Sequence, residues 1–264
     1  MLLTPLLLGL LMGGAVYAGL SAAFSPGMNE RRRSFFTSVS TGSIIYLFVE
    51  ICAKMIDELE DLLGSAMADY PTWRDFSFYS FLFLAALSAG LLGLVYFEEH
   101  FIRRGQDELL PVQRARRMAL FSAIGSGLQC LVGGLAIGAE YSWGENALAA
   151  LIALGFGFYN ATNGFTIASP LSGRPPEKGF FFSLGSLGVL AALLGVLIGG
   201  LKTSKPVEFF ILALAAGTIL YSIGELLHVG RRLKEEAVVG VGLLVGFIVA
   251  FALKMILVSQ SGQL

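Results

Sequence analysis

Charge is scarce in this sequence. Only 14% of the 264 residues are Asp, Glu, Lys or Arg, against about 25% in an ordinary soluble domain. A chain that is also 55% hydrophobic has too little polar surface to face water on every side. Histidine is scarcer still. His100 and His228 are the two in the chain, and neither falls at the middle of an apolar run, which argues against a haem or binuclear metal enzyme. The two cysteines, Cys52 and Cys130, both lie inside apolar stretches, so no disulfide is expected and neither marks a redox compartment. The sequence has no Walker phosphate loop, no CxxC pair and no dinucleotide fingerprint. A net charge of −1 points to no partner, and nothing supports nucleic-acid binding. No enzymatic activity and no cofactor are expected.

What is abundant is long apolar sequence, with 33 glycines and a mean hydropathy of +0.74. The charges sit in short segments between apolar runs of roughly 20 residues, the length of helix that crosses about 30 Å of hydrocarbon. In lipid the backbone must satisfy its own hydrogen bonds, so the runs are expected to be helices, and the glycines let such helices approach closely. The expected fold is all-α and integral to the membrane, one transmembrane domain over residues 1–264, with the lipid bilayer as its first partner. Eight spans are read at about 2–25, 34–62, 77–99, 118–139, 147–170, 180–200, 207–229 and 237–258. The first lacks a basic leader and is longer than a signal-peptide core, so it reads as a retained span.

The linkers alternate in charge. Those after spans one, three, five and seven hold Arg31, Arg32 and Arg33; Arg103, Arg104, Arg114, Arg116 and Arg117; Arg174 and Lys178; and Arg231, Arg232 and Lys234, thirteen of the 18 basic residues. The other side holds Arg74, Lys202 and Lys205, while Lys54 and Lys254 fall within spans. By the positive-inside rule both termini face away from the cytoplasm, in a cell membrane. Spans two and seven also share a pattern. Gly42, Tyr46 and Glu50 recur as Gly217, Tyr221 and Glu225, each offset by 175 residues, on helices that run in opposite directions. Inverted repeats of this kind build many transporters, with the substrate site near the bilayer midplane.

Three segments carry a family resemblance: GLAIG from Gly134 to Gly138, GFGFYNATNGFTIASPL from Gly155 to Leu171, and LAAGTILYSIGELLH from Leu214 to His228. They resemble the ZIP family of metal transporters, in particular a prokaryotic branch with a His-Asn-x-x-Glu-Gly-Leu-Ala motif in span four and His-Asn-Ala-Thr-Glu-Gly-Phe in span five. The resemblance covers nearly the whole chain and implies three, two and three helices, the flanking triplets inverted. It also implies that a paired metal site at midmembrane would fall on Gln129, Cys130 and Gly133 of span four and on Tyr159, Asn160 and Asn163 of span five. Of these six positions only Asn160 keeps the family residue, although Gly134 and Gly164 survive directly after the two lost glutamates.

The substitutions bear on chemistry. A hydrated dication needs imidazoles and carboxylates to replace its water and balance its charge. Amides, a phenol and bare glycine do not supply them, and desolvating an unpaired ion costs several kcal/mol or more. Cys130 offers one thiolate to a soft metal, and residues 180–200 hold no carboxylate. Lys54 would repel an approaching dication. It is spaced to pair with Glu50 or Asp57, or to snorkel outward beside Asp57, Glu58, Glu60 and Asp61. What is left is a neutral polar stripe, Tyr159, Thr162, Asn163, Thr166 and Ser169 on one face of span five. It suits an uncharged or zwitterionic solute, or serves as hydrogen-bonded helix glue. Glu225 and His228, at i and i+3, read as a weak metal or proton position or as an ordinary helix end.

The reading that follows is a ZIP-like transporter with a remodelled central site, selective for a soft metal species or a small polar solute. No metal ligand set is assigned. The alternatives are a non-transporting structural or partner subunit on the same fold, and divalent zinc or iron uptake through an atypical ligand set. A homodimer is compatible with the glycine-rich spans. Transport predicts a polar cavity between spans two, four, five and seven that reaches Gln129 and Asn163. A structural subunit predicts that region closed.

Overall fold

In the computed structural model, residues 3–25, 27–68, 73–103, 110–171, 176–201, 204–232 and 236–261 are described; Arg104, Arg174, Lys202 and Lys234 of the linkers lie outside them. The described residues are helical almost throughout: α1 (Leu3–Ala23), α2 (Glu30–Ala68), α3 (Trp73–Phe97), α4 (Pro111–Trp143), α5 (Asn146–Ala168), α6 (Lys178–Gly199), α7 (Lys205–Arg232) and α8 (Glu236–Ser261). A π-helical turn, Glu98–Arg103, extends α3, and a 3₁₀ turn, Ser169–Leu171, ends α5. Seven of these helices are long and apolar enough to cross a membrane. The exception is α5, which carries Asn146, Asn160, Asn163 and two threonines. Its polarity is tolerated because it is the most enclosed helix, with 15 of its 23 residues buried. The peripheral helices invert that pattern, exposing Phe78, Phe81 and Leu84 on α3 and Leu244, Ile248 and Phe251 on α8.

Local chemistry sets the helix ends. Pro111 opens α4 at its first position, where a missing N–H costs nothing. Gly144 closes it at φ 92°, its N–H turned back onto the carbonyls of Glu140 and Tyr141, a left-handed cap that glycine alone adopts without strain. With Glu145 it makes a two-residue turn into α5. The 39 residues of α2 span about 58 Å at 1.5 Å per residue, so its acidic final turns run past any 30 Å slab.

Helices pair through glycine crossings. On α2 a Cβ at Gly42 would strike the Leu243 carbonyl of α8, and one at Gly246 would strike Val39; on α7 a Cβ at Gly217 would strike the Leu87 carbonyl of α3, and one at Gly90 would strike Leu214. The matched contacts are displaced by 175 residues between α2 and α7 and by 156 between α3 and α8. Likewise Gly19 of α1 meets Ala161 and Gly164 of α5, as Gly195 of α6 meets Leu131 and Gly134 of α4. Here the displacements are 176 between α1 and α6 and 30 between α4 and α5. Backbone-to-backbone approach of this kind maximises van der Waals contact, the main cohesive force between helices in lipid.

Candidate functional site

Tyr159, Asn163 and Thr166 of α5 and Ser169 of the 3₁₀ turn that ends it follow helical spacing and line one cavity. Its other walls are Ser122, Ser126 and Gln129 from α4, Tyr221, Glu225 and His228 from α7, and Leu94, Phe97 and Glu98 from α3 and its π-helical turn. The space is about 560 Å³, within the range of small-molecule sites. It lies between α3, α4, α5 and α7; α2 takes no part. It runs from Ser169, Pro170 and His228, near the arginine-bearing linkers, inward to Gln129 and Tyr159.

At its inner end four hydrogen bonds engage Gln129, Ser222, Tyr159 and Tyr221. Gln129 Nε2 donates to Ser222 Oγ at 2.9 Å, and Ser222 Oγ donates on to the Thr218 carbonyl at 2.9 Å. The Tyr159 hydroxyl donates to Glu225 Oε2 at 3.1 Å, and the Tyr221 hydroxyl to Glu98 Oε2 at 3.0 Å. Glu225 is therefore not merely a helix end. One of its oxygens accepts the Tyr159 hydroxyl, so a carboxyl group lines the inner end of the cavity. Thr162 faces elsewhere, its hydroxyl donating back to the Tyr159 carbonyl at 2.9 Å.

The six positions marked by the family motif divide in two. Gln129, Tyr159 and Asn163 reach the cavity; Cys130, Gly133 and Asn160 do not line it. Asn160 Nδ2 donates to the Met12 carbonyl at 2.8 Å and contacts Cys130 Sγ at 3.2 Å. It thereby ties α5 to α1 and α4. The Cys130 side chain is fully buried and packs near Gly188 of α6. A Cβ at Gly133 would meet the Met12 sulfur at 3.0 Å and the Phe156 ring at 3.3 Å, so the space beside it is filled by apolar atoms.

A second cavity, about 380 Å³, lies toward the other end, lined by Glu50, Lys54, Asp57, Glu58, Asp61, Glu145 and Lys254 among others. Lys54 pairs with neither of the partners its spacing offers, and it does not reach free into solvent. Its ammonium contacts Glu140 of α4 at 2.8 Å and Glu208 of α7 at 3.3 Å. The two carboxylates are almost wholly buried, the side chains 0% and 7% exposed. Buried acids need a cation more than the solvated Asp57 does. Glu50 is engaged otherwise: it accepts the Tyr46 hydroxyl at 2.6 Å and the ammonium of Lys254 from α8. Along α5 the two cavities stop at Tyr159 and Leu151, and Ile152, Gly155 and Phe156 between them are buried. That plug is about 12 Å of helix.

Glu140 and Glu208 escape the sequence reading because each lies one residue outside or inside a span boundary, at 139 and 207, where a carboxylate looks solvated. The available signal was that Glu140 is the only charge on α4 beyond Arg117. No three His, Cys, Asp or Glu side chains among the described residues are grouped to hold a metal ion. No protein-family model matches the chain, and no curated protein matches it in sequence.

Proposed function

We propose that the chain is a membrane transporter of ZIP-like plan, carrying a small polar solute through a central site from which the family's paired metal ligands have been lost. In this reading eight helices span a cell membrane, with α1–α3 and α6–α8 as inverted copies around α4 and α5. Both termini face away from the cytoplasm. The constant displacements of 175 or 176, 156 and 30 residues across the glycine crossings support the inverted plan. The alternation of arginine between linkers supports the orientation.

One observation carries the transport reading: the polar cavity of about 560 Å³ that reaches Gln129, Tyr159 and Asn163, the positions at which the family motif would put its ligands. A helix bundle that served only as a partner subunit gains nothing from an open polar space among its helices, and each polar group left there costs stability. A cavity at the arginine-bearing end, a buried plug and a second cavity beyond it also suit alternating access. Selectivity away from zinc or iron is supported by the neutral side chains at Gln129, Tyr159 and Asn163 and by the absence, among the described residues, of three His, Cys, Asp or Glu side chains grouped to hold a metal ion.

The test is flux into proteoliposomes containing the full chain, with neutral, zwitterionic and cationic solutes and with Zn²⁺. Saturable uptake of a polar solute, weakened about tenfold or more by Gln129→Leu or Asn163→Leu, is expected. Saturable Zn²⁺ uptake abolished by Asn163→Ala would overturn the selectivity argued here. An absence of flux for every solute would favour the structural subunit.

A further inference from the structure

The three consecutive arginines at the start of α2 diverge. Arg33 turns inward, its Nη2 donating to the Phe165 carbonyl at 3.2 Å and its guanidinium 5.5 Å from the Phe165 ring centroid. Arg31 and Arg32 instead border a groove of about 790 Å³ between the end of α1, the start of α2 and the start of α8. Arg32 is held at its edge. Asn29 Oδ1 accepts the Arg32 backbone N–H at 2.9 Å, and Arg32 Nη1 donates to the Gly27 carbonyl at 2.8 Å. Among the described residues no carboxylate pairs with Arg31 or Arg32. Glu30 and Glu236, the nearest in sequence, stay outside the groove's lining. Cations in a helix's first turn oppose its dipole, so the pair is unfavourably placed until an anion joins it. Apart from the arginines, Ser25 and Gly27, the walls are apolar, with Phe35 and Phe36 on α2 and Val238 and Val241 on α8. The groove opens outward: Phe36 is 48% and Val241 57% exposed. From Val241 the exposed Leu244 and Ile248 continue along α8 at helical spacing, away from the arginines.

We infer that this groove holds one anionic phospholipid of the leaflet at the arginine-bearing end, its phosphate on Arg31 and Arg32 and its chains along the Val241, Leu244 and Ile248 face of α8. A guanidinium matches a phosphate bidentately, and basic pockets between membrane helices select anionic headgroups. A zwitterionic phospholipid brings its own cation beside the phosphate and leaves arginine charge unbalanced. A soluble anion balances the charge but leaves Phe35, Phe36 and Val238 uncovered. A second copy of the chain, seated here about a twofold axis, sets two arginine pairs against each other. The anionic amphiphile meets both the charge and the apolar wall. This site goes beyond the transport reading and needs only that the helices cross a membrane.

The test is native mass spectrometry of the full chain, purified and delipidated in detergent, then titrated with dioleoylphosphatidylglycerol or dioleoylphosphatidylcholine. One phosphatidylglycerol per chain is expected, bound on the order of 10-fold or more tighter than phosphatidylcholine. Glycerol phosphate, the headgroup without chains, is expected not to compete. Arg31→Gln and Arg32→Gln are each expected to weaken phosphatidylglycerol binding about 5-fold, and the double variant about 30-fold. Ala237→Trp, at an exposed position on the groove wall, fills the groove without altering charge and is expected to abolish the site. Arg116→Gln, whose arginine pairs with Glu177 on the surface, reports diffuse attraction and is expected to change nothing. Equal affinity for the two lipids, or an equal loss in Arg116→Gln and the arginine double variant, overturns the inference. So does competition by glycerol phosphate, which would make the groove a soluble-anion site. A lipid-free dimer that Ala237→Trp dissociates overturns it as well, by making the groove a self-interface. Failure of flux for every solute retires the transport reading and leaves this site standing.

Discussion

Replacing Lys54 with methionine tests the ion cluster that joins α2, α4 and α7. The ammonium lies 2.8 Å from Glu140 and 3.3 Å from Glu208. At an effective dielectric constant near 20, each such pair attracts by about 5 kcal/mol, most of it offset by the cost of taking three charges out of water. The net contribution of the intact cluster is therefore small, but its disruption is not. Lys54→Met leaves two neighbouring buried carboxylates without a cation, a loss of about 3–5 kcal/mol. For a chain of this size that is a fall of roughly 6–15 °C in unfolding midpoint, readable from the tryptophan fluorescence of Trp73 and Trp143 in detergent. The triple variant Lys54→Met, Glu140→Gln, Glu208→Gln removes all the charge and is expected to recover most of the loss. A Lys54→Met midpoint within about 2 °C of wild type would refute the reasoning, as would a triple variant no more stable than the single one.

Two further outcomes follow from the packing. With Cys52 replaced by alanine, a water-soluble maleimide is expected to modify Thr166→Cys and Ser169→Cys in the folded protein and to leave Cys130 unmodified, read by intact mass; faster labelling of Cys130 would contradict the cavity placement. Gly42→Val and Gly217→Val are each expected to destabilise by about 1–3 kcal/mol through overpacking at the crossings. Gly224→Ala, where a Cβ meets nothing within 4 Å, is expected to leave the melting midpoint unchanged or slightly higher.

Much of this architecture is written in one-dimensional features. Apolar runs bounded by charge foretell helices because lipid leaves the backbone no alternative, and the described helices overrun the expected spans only at their solvated ends, as α2 does. The Gly42/Tyr46/Glu50 pattern carries the crossing register as well, because a glycine contact point and a residue two turns on share a helix face. Of the stripe read on span five, Tyr159, Asn163, Thr166 and Ser169 line one cavity, and Thr162 does not. The partners of Lys54 are not legible in the sequence. Glu140 and Glu208 come from helices distant in sequence, and their meeting depends on the rotation of three helices at once, which no spacing rule encodes. The junction of Tyr159 with Glu225 is hidden for the same reason. Both members were identified, but on separate faces of separate helices.

The low apolarity of α5 also bears on how the protein is made. On the eight-span arrangement proposed above, a segment with three asparagines has little drive to leave an aqueous translocon by itself. Its Asn160 finds the Met12 carbonyl and its Gly164 finds Gly19 only on α1. In that arrangement α1 acts as an intramolecular chaperone for α5, its glycine face uncovered in the bilayer until α5 has emerged.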